Sequence, residues 1–144
     1  KVGVGGTVQH GASTLPEKHF VEFPRHDAME IHLATEFQRI VFDHPMFPRE
    51  LREKMVKWIK ETKPAEWKEG DAEAKNVEKC FKRAWGPVKK EIWSMPSDAH
   101  QAIVGALESK FTTLFKRLNV PGTKGVVNEF VKPVPVTPPK PAGL

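Results

Sequence analysis

The order of elements written into residues 2–42 constrains the fold most. Val2–Gln9, V-G-V-G-G-T-V-Q, is β-branched and glycine-rich, and predicts a short buried strand with close backbone neighbours. His10-Gly11-Ala12-Ser13 stands at its end. Pro16 then suits the first turn of a short helix with Leu15, His19, Phe20 and Phe23 on one side, and Pro24 stops it. Ala28–Leu33, A-M-E-I-H-L, predicts a second strand. Thr35 is placed to cap a following helix whose apolar stripe is Phe37, Ile40 and Val41. Strand, loop, helix, strand, loop, helix predicts parallel α/β structure with helices outside. Two strands neither close a barrel nor bury both faces of a parallel sheet. Further strands are therefore expected, from chain preceding Lys1 or from another polypeptide.

The rest of the chain reads as helical. Pro48 opens a helix to about Glu61, with Leu51, Met55, Trp58 and Ile59 inward. A polar loop over Thr62–Asp71 leads to helices over Ala74–Ala84 and Pro87–Ser94, parted by Gly86-Pro87. Ser97 is placed to cap a last helix, on which Ile103, Leu107, Phe111, Leu114, Phe115 and Leu118 recur at helical spacing. From Pro121 the composition shifts, and Pro133, Pro135, Pro138, Pro139 and Pro141 predict an extended tail. Residues 1–120 thus form the strand and helix units and 121–144 the tail.

With 39% hydrophobic and 28% charged residues, the chain has globular composition. No apolar run approaches the ~20 residues that cross a bilayer, and no signal-like segment opens the chain, so a cytoplasmic location is expected. Cys80 is the only cysteine and excludes an internal disulfide; it reads as a structural thiol. The formal charge of +5 admits nucleic acid or an acidic protein as partner, and a non-catalytic basic helical module is the alternative reading. The lysines, however, alternate with acidic residues, as Lys54, Lys57 and Lys60 do with Glu50, Glu53 and Glu61, which makes them solvated helix faces. Trp58, Trp67, Trp85 and Trp93 offer stacking surfaces for bases, but Trp58 and Trp93 fall on inward helical positions and point to core packing. Gly3-Val4-Gly5-Gly6 lacks the spacing of a dinucleotide fingerprint.

Two segments can carry chemistry. A histidine at a strand's C-terminal end, His10, can ligate a divalent metal, Gly11 lets backbone approach a ligand, and amides near Ser13 can face a phosphate. His10 as a hydrogen-bonded core residue and Gly11 as a plain turn is the competing interpretation. On the second strand His32 and Ala34 share one face, and Thr35 lies where a helix N-terminus opens towards an anion; an ordinary strand followed by a threonine cap competes here too.

Taken together, V-Q-H-G-A-S-T-L-P and M-E-I-H-L-A-T-E-F-Q resemble the last two strand ends of class II, metal-dependent fructose-bisphosphate-type aldolases. A-L-E-S-K-F-T-T-L-F-K-R-L-N is similar to that family's closing helix. The resemblance spans about residues 1–120 and implies the C-terminal part of a (β/α)8 barrel, incomplete by itself. It implies a lyase that reversibly cleaves fructose 1,6-bisphosphate, or a related ketose phosphate, to dihydroxyacetone phosphate and an aldehyde. It makes His10 a ligand of Zn2+ or another divalent cation, and Gly11, Ser13 and Thr35 phosphate contacts. His32 stands where the family has Asn, Ala34 where it has a polar residue, and Ala12 where it has a second glycine. His32 can still bond a substrate oxygen, and Ala34 can offer its amide. The remaining ligands and the proton-transferring acid have no counterparts here and belong upstream; His19 and His26 do not match a ligand pair with His10. The resemblance also implies a homo-oligomer, with a basic residue borrowed across subunits for the second phosphate; Lys89, Lys90 and Arg83 are the candidates.

Overall fold

The computed structural model describes residues 3 and 5–139. Val2 and Val4 of the expected first strand, and Pro141 of the tail, lie outside these. The first strand, β1, is Thr7–Gln9, and the second, β2, is Ala28–Ile31. They pair in parallel, Thr7 with Ala28, Val8 with Glu30 and Gln9 with Ile31, with an irregularity between Thr7 and Val8. The glycines upstream have a steric reason. A Cβ on Gly6 would stand 2.4 Å from the Asp27 carbonyl oxygen and 2.4 Å from the Met29 side chain, so only glycine lets the two segments approach there.

Between the strands the chain makes two 3-10 turns, Ala12–Thr14 and Glu17–Val21, and a short helix α1, Glu22–Arg25. Pro24 lies inside α1 rather than ending it, because a proline in the first turn gives up only an amide that has no helical partner. Helices α2 (Thr35–Phe42), α3 (Arg49–Thr62), α4 (Glu73–Ala84), α5 (Lys89–Trp93) and α6 (Ser97–Arg117) follow. Lys124–Phe130 forms a further helix, α7, so the extended tail starts at Val131 and not at Pro121. Among the described residues no helix is long and apolar enough to cross a membrane.

Two apolar clusters hold the molecule. The larger joins Phe42 of α2, Phe47, Leu51, Met55 and Ile59 of α3 and its approach, Val77, Cys80, Phe81 and Ala84 of α4, Val88, and Ile103 of α6. Aromatic edges meet inside it, Phe42 against Phe81 at 5.1 Å and against Phe47 at 5.7 Å. The smaller cluster sits under the strands: Ala12, Phe20 and Leu114, flanked by Phe23, Ile31, Leu33, Phe37 and Leu118. Helix α6, about 31 Å long at 1.5 Å per residue, spans both, with Ile103 in one cluster and Leu114 in the other.

Three expectations need correction. The first strand is not buried: Val8 is 51% exposed, because among the described residues the sheet has only two strands, and Met29 of β2 is 72% exposed. Neither Thr35 nor Ser97 caps its helix. Each is the first residue inside it, behind Ala34 and Pro96, and makes no side-chain capping bond. Trp93 is 73% exposed rather than inward; on this five-residue helix it is Ile92 that packs against the larger cluster.

Candidate functional site

The parallel pairing brings the two strand ends side by side. The His32 amide donates to the Gln9 carbonyl at 2.9 Å, carrying the ladder one residue beyond β2. That register sets the His10 and His32 rings face to face, centroids 4.3 Å apart and planes 26° from parallel. Both rings are exposed. His32 Nε2 also lies 2.5 Å from Glu30 Oε1, the neighbour two residues back on the same strand face.

Gly11 then turns the chain. Its φ of +72° is left-handed, which a side chain would strain although the space beside it is open. This turn drops Ala12 into the smaller cluster, fully buried, and lifts Ser13 towards the second strand end. Ser13 Oγ accepts a hydrogen bond from the Ala34 amide at 3.3 Å. As the acceptor there, Ser13 keeps its own hydroxyl hydrogen for a ligand. Ala34 offers the amide that its side chain cannot supplement.

Ser13, Thr14 and Thr35 line one open cleft of about 710 Å³, with Glu36, Arg39, Asp43 and His44 around it and Ala106 of α6 behind. Of the residues singled out from sequence, Ser13 and Thr35 share this cleft, and Ala34 is bonded to it through Ser13. His10, His32 and Gly11 stand at the same strand ends without lining it. Arg39 was not anticipated. It lies four residues after Thr35, one helical turn on and on the same face, so the spacing alone carries the signal. Its Nε is 3.7 Å from Asp43 Oδ2, an exposed pair that is weak enough to yield to a better anion. None of Arg83, Lys89 and Lys90 lines the cleft; Arg83 is engaged by Glu66 at 3.0 Å.

Below the cleft Lys110 of α6 reaches two carboxylates, Glu36 Oε1 at 2.6 Å and Glu17 Oε1 at 3.0 Å. Burial alone would lower its pKa, but the hydrogen bonds that the ammonium donates to Glu36 and Glu17 outweigh it and raise the value.

Among the described residues no group of three His, Cys, Asp or Glu is arranged to hold a metal ion. A catalytic zinc needs about three ligands from protein, and His10 has no two such companions among the described residues. Cys80 is buried, its Sγ 3.2 Å from the Glu66 carbonyl, and burial pushes the thiol pKa up, so it is a poor nucleophile. Many basic side chains are matched by acids: Lys54 by Glu91, Lys57 by Glu61, Lys75 by Asp71. Lys60 lies over the Trp67 ring. Comparison with protein-family models, with curated proteins and with solved structures gave no match.

Proposed function

We propose that this chain is the C-terminal portion of a cytoplasmic class II aldolase acting on a ketose bisphosphate. The complete enzyme would reversibly cleave fructose 1,6-bisphosphate, or a close relative, to dihydroxyacetone phosphate and an aldehyde. One observation carries the reading: the two motifs that resemble the family's strand ends converge, through the stacked His10 and His32 rings and the Ser13–Ala34 bond, beside a cleft shared by Ser13 and Thr35. Consecutive parallel strands bring their ends together in any fold; what supports the reading is that the residues meeting here are those of the two resembling motifs.

In this reading the hydroxyls of Ser13 and Thr35, with the turn at Gly11, take a phosphate group, and Arg39 supplies positive charge at the rim. His32 reaches a substrate oxygen. His10 contributes one ligand to a divalent cation, zinc first among the candidates, whose chemistry is polarisation of a ketone carbonyl. The other ligands and the carboxylate that moves the proton come from upstream strands. Those strands would extend the two-stranded sheet, and Val8, 51% exposed, is an apolar position that a completed barrel would cover.

The 144 residues alone should be inactive. The test compares cleavage of fructose 1,6-bisphosphate by the isolated chain and by the chain joined to its upstream segment. Activity only in the joined polypeptide supports the reading, and full activity from the isolated chain refutes it.

A further inference from the structure

The cleft contains an arrangement at odds with anion binding. Glu36 lines it, one residue from Thr35, and a free carboxylate there would repel a phosphate. Lys110 removes the conflict at Glu36, while Asp43, the other carboxylate lining the cleft, lies 3.7 Å from both Arg39 and Arg52. The Lys110 side chain is only 14% exposed, and its ammonium is shared between Glu36 at 2.6 Å and Glu17 at 3.0 Å. Glu17 belongs to the turn that follows the Ser13 loop, and Glu36 to the first turn of α2. One cation on α6 therefore grips the segment after each strand end. Arg117, seven residues along and on the same face of α6, supports Glu17 from its other oxygen at 3.6 Å.

We propose that Lys110 is a positioning residue for phosphate binding: it neutralises Glu36 and ties the Ser13 and Thr35 loops to α6 at a fixed separation. This inference rests on the phosphate role given above to Ser13 and Thr35. Lys110 does not line the cleft and acts through Glu36 and Glu17. An arginine can reach the same two carboxylates; a methionine fills the volume without the charge.

The test titrates the polypeptide joined to its upstream segment with inorganic phosphate by calorimetry, well below its unfolding temperature. The site is identified as the binding lost in Thr35→Val. Lys110→Met should weaken that binding about tenfold, the cost of one uncompensated like charge near the anion, and Lys110→Arg should hold it within about twofold of wild type. A folded Lys110→Met protein that binds phosphate as wild type does overturns the proposal while leaving the phosphate role of Thr35 intact. Wild-type protein with no Thr35-dependent phosphate binding overturns both. Should Lys110→Met not fold, Lys110→Gln, which keeps a polar side chain between the two carboxylates without the charge, decides the question in its place: weakened binding supports the role of Lys110, and unchanged affinity ends it.

Discussion

Asn76 shows how much one side chain can organise. It is buried at 1% exposure, its Oδ1 accepting from the Lys68 amide at 3.1 Å and its Nδ2 donating to the Lys68 carbonyl at 2.8 Å. These two bonds fasten the loop between α3 and α4 to the α4 helix, and Cys80 adds a third tie through Glu66. Asn76→Ala should destabilise the chain by about 1–3 kcal/mol, since it removes two part-buried hydrogen bonds to the Lys68 backbone; urea unfolding would read the loss. An unchanged midpoint would mean that water replaces the amide at no cost. Nothing in the sequence marked this residue, because an asparagine in a polar helix reads as surface until its partner eight residues back is known. The caps failed for a related reason. Thr35 and Ser97 are of the capping type, but the helices begin at these residues, and capping needs a side chain one position earlier.

At the scale of elements, periodicity carried most of the information. The α3 stripe of Leu51, Met55 and Ile59 is buried as its spacing requires, and α6 places Ile103 and Leu114 in separate clusters. Phe111 and Phe115 continue the same stripe yet stay 43% and 48% exposed, although Phe111 stacks on Phe37 of α2 at 4.7 Å. Periodicity names the face of a helix; how much of that face finds a partner depends on neighbours it cannot see. The stripe ends at Leu118, one residue past the end of α6 at Arg117. Asn119 is left-handed with φ of 58°, and the Val120 amide reaches back to the Phe115 carbonyl at 3.0 Å, closing the last turn as a Schellman motif. Met55 has no exposed surface and touches both α3 and α4 partners, so Met55→Ala should cost about 2–5 kcal/mol through the cavity it leaves. The denaturant midpoint should fall without a change in slope; a change of slope instead would locate the effect in the unfolded chain.

For the molecule as a whole, the helices make a self-contained core, and the strands do not. A two-stranded parallel sheet with Val8 and Met29 open to solvent is half of a layer. The proposed function accounts for that asymmetry: the helical core anchors the pair of strand ends, and upstream strands would complete both the sheet and the metal site. The pairing of the two motifs was legible because each sits immediately after a strand, and a right-handed crossover puts consecutive parallel strands side by side. Arg39 and the Lys110 grip were not, since they depend on which faces of α2 and α6 meet. The most direct measurement is zinc content and fructose 1,6-bisphosphate cleavage, in the polypeptide joined to its upstream segment, for His10→Ala beside Thr35→Val. Loss of both zinc and cleavage in His10→Ala, with zinc kept and KM raised about tenfold in Thr35→Val, is the predicted result. Zinc content and kinetics equal to wild type in both variants would contradict the claim that the two strand ends serve one ligand.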